Sequence, residues 1–186
     1  MRRCEDFGVA YYVLHPGSAL DGGFTDGMRR IVYGIDEVYS EMGTSVMLLL
    51  ETTAGMGSSI GGKFEHLQEI CEKSKYGDHI GICLDTCHIY VAGYDITGDY
   101  DSVMDDVSGR FGDKLRCIHM NDSKGALGSH KDRHALIGQG EIGLEPFRRL
   151  VNDERLSTVL GLLETPVDEN YTDEIKLLKS LREAGY

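Results

Sequence analysis

Five short apolar runs, rich in the branched and aromatic residues that suit strands, recur along this chain: Val9 to Leu14, Val46 to Leu50, Ile80 to Leu84, Leu115 to Ile118 and Val159 to Leu163. A polar residue able to bind a metal directly follows each run. These residues are His15, Glu51, Asp85, His119 and Glu164, separated by 36, 34, 34 and 45 positions. Helical patterns fill the gaps, at Asp26 to Met42, Phe64 to Lys75, Tyr100 to Arg110, Leu144 to Val151 and Thr172 to Ala184, with a short helix at Arg2 to Phe7 before the first strand. Gly43 and Gly185 stand at helix stop positions. Alternation of this kind implies an α/β fold with a parallel sheet, and such folds place ligands at the carboxyl ends of the strands.

Two architectures satisfy the pattern. One is an open, doubly wound sheet of five strands; the other is part of a (β/α)₈ TIM barrel, which typically needs about 250 residues. At roughly 35 residues per βα unit, the 186 residues supply five of eight units. On the barrel reading, residues 1–186 are a single partial barrel domain, the last five units, with three units expected before Met1.

Composition removes several classes of function. Nineteen Lys plus Arg stand against 31 Asp plus Glu, giving a formal net charge of −12. No apolar run approaches the ~20 residues of a membrane helix, and Met1-Arg2-Arg3 does not lead into a signal-peptide core, so the expectation is an intracellular chain with no membrane partner. It would lie in the cytoplasm or nucleoid of a bacterium, or the nucleus or mitochondrion of a eukaryote. Five cysteines, an odd number placed mostly in apolar or helical patterns, are expected to be free thiols. The acidic balance disfavours nucleic-acid binding over the whole surface, but bound divalent ions can reverse the local sign.

Metal binding is the chemistry that the remaining residues favour. A lone His or Asp at a strand end is more often a satisfied polar residue than a ligand. Here eight candidates cluster on strand ends and one adjoining loop. Asp132 and His134 share a face if their segment is extended, whereas Asp85 and His88 would point opposite ways on a strand and so serve two ions side by side. His and carboxylate sets without thiolate suit zinc, manganese or iron in open catalytic sites. Lys124, His130, Lys131 and Arg133 form the one concentrated basic loop, either a solvated loop or a phosphate contact. Gly55, Gly57, Gly61 and Gly62 are spaced wrongly for a dinucleotide fingerprint, so no organic cofactor is expected. His66 and His79 have no companion ligands and read as ordinary residues.

Several longer motifs resemble endonuclease IV, a family of zinc-dependent apurinic/apyrimidinic (AP) endonucleases. They are His15-Pro16-Gly17-Ser18, Glu51-Thr52-Thr53-Ala54-Gly55, Leu84-Asp85-Thr86-Cys87-His88 with Ala92-Gly93-Tyr94-Asp95, His119-Met120-Asn121-Asp122-Ser123-Lys124, and Asp132-Arg133-His134 with Gly138 to Gly143. The resemblance runs from Arg2 to the final helix. It implies a TIM barrel of the xylose-isomerase type and a trinuclear zinc site, with manganese an alternative. The implied activity cuts double-stranded DNA on the 5′ side of an abasic site, leaving a 3′-hydroxyl, and removes blocked 3′ ends. By motif, Glu51 would bridge the first and second metals and act on the attacking water. Asp85, His119 and Glu164 would complete the second; His88, Asp132 and His134 would hold the third; His15 would bind the first. The family supplies a further histidine to that first metal from a strand before His15, which this sequence does not contain. The rival reading is a divalent-metal sugar isomerase or epimerase of the same barrel class, using Glu51, Asp85, His119 and Glu164 alone. A third is a metal- or DNA-binding fragment without turnover.

Overall fold

Met47–Glu51 and Ile80–Asp85 are buried at nearly every position, as strands covered on both faces must be. They are β2 and β3 of a five-stranded sheet completed by β1 (Tyr11–Leu14), β4 (Leu115–His119) and β5 (Leu160–Leu162). The computed structural model describes residues 1–166 and 171–182. All four pairings are parallel, and the spatial order is β1-β2-β3-β4-β5. That order decides between the two architectures. A doubly wound sheet reverses direction at a switch point, whereas here each strand is laid beside its predecessor, so right-handed crossovers keep every helix on one face. The sheet is an arc of a barrel, and the doubly wound alternative is excluded.

The helices are α1 (Arg2–Asp6), α2 (Gly23–Met42), α3 (Phe64–Lys73), α4 (Thr86–Ala92), α5 (Tyr100–Phe111), α6 (Leu144–Asn152) and α7 (Thr172–Ser180). The expected extension of α7 to Ala184 and its stop at Gly185 lie outside the described residues. Helix α2 buries Met28, Ile35 and Tyr39, one face at helical spacing, and ends at Gly43 in the left-handed conformation. The Tyr39 hydroxyl donates to Val46 O at 2.8 Å and accepts from Leu48 N at 2.9 Å, fixing the helix to the start of β2. Among the described residues, no helix is long and apolar enough to cross a membrane.

The sheet's two faces have different fates. Leu48, Leu50, Ile82 and Leu84 pack outward into the main core with Leu67, Ile70 and Phe147. The intervening residues Leu49, Cys83 and Cys117 form a separate small cluster on the inner face, flanked by Tyr11, Val13 and Met47. Two residues further on, the same parity carries Glu51, Asp85 and His119 to the carboxyl rim of the inner face. A β-bulge between β3 and β4 helps to align them. Ile82 pairs with Leu115 but Cys83 pairs with Cys117, and the slip brings Asp85 level with His119.

One sequence expectation fails locally. His88 does not lie on an extension of the β3 strand: Asp85 caps α4, its Oδ1 accepting from His88 N at 2.8 Å, and His88 sits in the first helical turn. Asp85 and His88 therefore do not alternate along one strand. The turn of helix folds His88 back toward the strand ends, into the same cleft as Asp85.

Candidate metal centre

The strand ends bring the expected ligands together in three overlapping groups. Glu51, Asp85, His119 and Glu164 form one; His88, Asp132 and His134 form a second; His15, Glu51 and His88 form a third. Within each group the ligating atoms lie within 4.8 Å of one another. Glu51 and Asp85 are the last residues of β2 and β3, and His119 is the last of β4. His15 follows β1, and Glu164 stands two residues beyond β5.

Close contacts define the centre. His119 Nδ1 lies 2.9 Å from Glu51 Oε1 and 3.2 Å from Glu164 Oε2. His15 Nε2 lies 3.2 Å from Glu51 Oε2, and His88 Nε2 lies 3.2 Å from Asp132 Oδ2. No lysine or arginine neutralises the carboxylates here among the described ion pairs. Burial would push the Glu51 carboxyl up, but His119 and His15 overcome it and hold it lowered to about 2. Burial disfavours the charged forms of both His119 and His88, yet His119 is raised to about 10 by Cys117 and Glu51, and His88 to about 9 by Asp132 with Asp85 and Glu51. His15 is raised through its contact with Glu51.

Two of the ring nitrogens are tied to backbone. His88 Nδ1–H donates to Thr52 O at 2.8 Å, and His134 Nδ1–H donates to Glu164 O at 3.0 Å. Such bonds fix the tautomer and present the other nitrogen to a metal. His134 Nε2 is buried and has no hydrogen-bond partner, an orphan that a cation would satisfy. Histidine and carboxylate donors converging around one imidazole nitrogen that makes no hydrogen bond, 3.4 Å from Asp132 Oδ1 and 3.8 Å from Asp85 Oδ2, fit a divalent cluster with open positions.

Residues that the motif reading passed over hold these ligands in place. Asn121, fully buried, donates from Nδ2 to Asp85 Oδ2 at 2.6 Å and accepts at Oδ1 from Glu164 N at 2.9 Å, so one side chain positions two ligands. Thr52 Oγ1 accepts from Asp85 N at 2.9 Å, and Thr86 Oγ1 accepts from Asn121 N at 2.8 Å. The signal that could have found Thr52, Thr86 and Asn121 is their place within two residues of a strand-end ligand. Asp122 anchors the loop that carries Asp132 and His134: its carboxylate accepts from Ser123 N, Gly140 N and Ile142 N at 2.7, 2.9 and 3.0 Å.

Lys124, His130, Lys131 and Arg133 are all exposed on that loop. Lys124 N donates to Arg133 O at 2.8 Å, so these two cations sit side by side, and His130 is tied by Nδ1–H to Ala54 O at 2.8 Å. His66 accepts from Gly61 N at 3.3 Å and stacks on Phe24, in keeping with an ordinary role.

The fold and cluster match known proteins over nearly the whole chain. The family described as "Xylose isomerase-like TIM barrel" matches residues 1–181. A protein of Chloroflexus aggregans named "Probable endonuclease 4" is 42% identical over 188 residues, covering 97% of this chain and 66% of that relative. This chain belongs to the endonuclease IV family of xylose isomerase-like TIM barrels. A Phocaeicola vulgatus family member of the same name is 44% identical, covering 97% of this chain and 65% of its own. The crystal structure of endonuclease IV from Thermus thermophilus superposes with a TM-score of 0.84 at 34% identity, covering 96% of this chain and 64% of that one. The chain thus spans about two thirds of the length of these relatives.

Two consequences of the centre's construction are measurable. A Cβ at Gly140 would overlap Ser123 O and lie 2.5 Å from Asp122 Oδ1, so the loop must shift. Gly140→Ala is expected to cost about 1–3 kcal/mol, the usual range for overpacking, and to weaken retention of the ion at His88, Asp132 and His134. Thermal melts with and without zinc check it: the zinc-dependent rise in Tm should shrink along with the metal-free Tm. The second consequence concerns protons. His88, raised to about 9, and His119, raised to about 10, are charged at neutral pH in the metal-free chain and must lose protons to ligate. Zinc affinity should therefore climb with pH toward those values. Calorimetric titration in buffers of different ionisation enthalpy should register proton release at neutral pH, and an affinity flat with pH would contradict the pairing.

Proposed function

We propose that this chain carries the catalytic face of a zinc-dependent AP endonuclease, hydrolysing the phosphodiester 5′ to an abasic site in duplex DNA and clearing blocked 3′ ends. The observation that carries the reading is the second ligand group, His88, Asp132 and His134, beside the Glu51, Asp85, His119 and Glu164 set. A sugar isomerase or epimerase needs only the latter. The added group favours a phosphate-binding cluster, and the relatives' names agree with it.

Zinc ions held by these residues, three in the complete set and with manganese an alternative, would polarise the phosphoryl oxygens and activate a water near neutral pH. Asp85, His119 and Glu164 would hold one ion, His88, Asp132 and His134 another, and His15 would serve the one that Glu51 shares. Glu51, kept ionised by its histidine neighbours, is positioned to accept a hydrogen bond from the attacking water and align it with phosphorus. The water oxygen bonds to phosphorus as the P–O3′ bond breaks, the water proton leaves, and the departing oxygen gains one to become a 3′-hydroxyl. Asn121 keeps Asp85 and Glu164 in register during this exchange. Lys124, Lys131, Arg133 and His130 on the adjoining loop are the expected phosphate contacts, positioning the duplex without reading its sequence. An intracellular site of action accords with a DNA substrate.

The test is a 5′-labelled duplex bearing a tetrahydrofuran abasic analogue. The expected product is one shortened strand that a polymerase can extend, formed with zinc and abolished by a chelator. Turnover of a ketose sugar without DNA cleavage would replace this reading with the isomerase one.

A further inference from the structure

Beneath the carboxylate cluster lies a second set of donors of opposite chemical character. Cys83 and Cys117 are register partners on adjacent strands β3 and β4, both on the inner face and both fully or almost fully buried. Their sulfurs and one ring nitrogen of His119 lie within 4.8 Å of one another. Both cysteines are free thiols. Donor softness is therefore layered along the inner face: carboxylates and imidazoles at the mouth, thiols one layer below, with His119 belonging to both.

We propose that Cys83, Cys117 and His119 form a separate metal site for a divalent thiophilic cation, of which cadmium is the representative, and that its occupancy competes with the mouth cluster for His119. Three physical points select that ligand class. Sulfur donors prefer soft ions, so magnesium, calcium and manganese are disfavoured. The surroundings of the two sulfurs are apolar, made by Leu49 with Tyr11, Val13 and Met47 packed against it, and a charge buried there is costly. Two thiolates with a divalent ion are neutral, whereas a monovalent copper ion would leave a net negative charge. Binding forms two metal–sulfur bonds and one metal–nitrogen bond, and the protons of the two thiols and of the His119 imidazolium pass to solvent, with no change of oxidation state.

The competition follows from the ring's valence. A neutral imidazole carries one proton and offers one ligating nitrogen at a time. His119 Nδ1 already points at Glu51 and Glu164, so recruitment to the sulfur layer withdraws it from the ion those carboxylates would share. Zinc affinity at the mouth should then fall by at least about a hundredfold, because a ligand is lost and not merely a residue that supports one.

The experiment is a titration of the reduced, zinc-free chain with cadmium chloride. The expected result is an ultraviolet thiolate-to-cadmium charge-transfer band that saturates near one cadmium per chain. It should disappear in Cys83→Ser and in Cys117→Ser and survive in Cys4→Ser, Cys71→Ser and Cys87→Ser. Loss of the band in Cys87→Ser instead would move the ion to the neighbouring Asp85, Cys87 and His134 group and overturn the assignment. Cadmium-edge X-ray absorption on the unaltered chain needs no variant to fold: two sulfurs and a nitrogen are expected, and fewer than two sulfurs would refute the site. Neither readout involves DNA, so the result is independent of the nuclease reading.

Discussion

Glu51→Gln is expected to leave the fold intact and to lower both zinc retention and cleavage of an abasic-site duplex by at least about a hundredfold, beyond the range for a residue that merely supports a ligand. Glu51 owes this weight to where it stands. Its two oxygens face different partners, Oε1 toward His119 and Oε2 toward His15, so it belongs to two ligand groups at once. An amide of the same shape offers one good acceptor oxygen and no charge, and its NH₂ would be forced against one of those histidines. Packing should survive, because the substitution is isosteric and Leu50 beside it points into the outer core. Metal analysis, circular dichroism and single-turnover cleavage on the same preparation separate the outcomes. Near-normal cleavage with unchanged metal content would remove Glu51 from the chemistry.

The strands and their terminal ligands are legible in the sequence because two periods coincide there: a βα repeat near 35 residues and an inward parity that runs Leu49, Glu51 on β2 and Cys83, Asp85 on β3. What the strand and helix periods do not give is which side a crossover takes, since that is a tertiary choice; the motif resemblance implies the barrel, and the sequential strand order of the folded sheet separates a barrel arc from a doubly wound sheet. Helix α4 is hidden for a different reason. Thr86 through Val91 are all buried, so no amphipathic period marks them, and Ile89, Tyr90 and Val91 are residues that favour strands. Its legible signals are only the caps: Asp85 before it and Gly93 after it, the latter in the left-handed conformation. Asn121, Thr52 and Thr86 leave no periodic pattern beyond their nearness to a strand-end ligand, because an outer contact to a ligand depends on neighbouring strands and not on spacing along one.

The 186-residue chain on its own is expected to self-associate. Strands β1 and β5 end the sheet on either side, and each has one edge without a partner strand among the described residues. Unpaired backbone groups on an apolar strand are a template for another chain unless charge, proline or a covering segment protects them. Neither Tyr11–Leu14 nor Leu160–Leu162 contains a charge or a proline. Leu49, Cys83 and Cys117 on the inner face are buried, so within the sheet the exposed large apolar side chains are those of the two edge strands. Leu160 and Leu162 are 50% and 49% exposed, and Tyr12 on the far edge is 40% exposed. Sedimentation velocity at rising concentration should show dimers or larger species, and Leu160→Lys with Leu162→Lys should return the chain toward monomer by placing like charges along the β5 edge. A longer polypeptide that pairs both edges should sediment as a monomer without those lysines. A single monomeric species across the concentration range, unfolding cooperatively and unaffected by the lysines, would mean that the arc is closed by its own curvature.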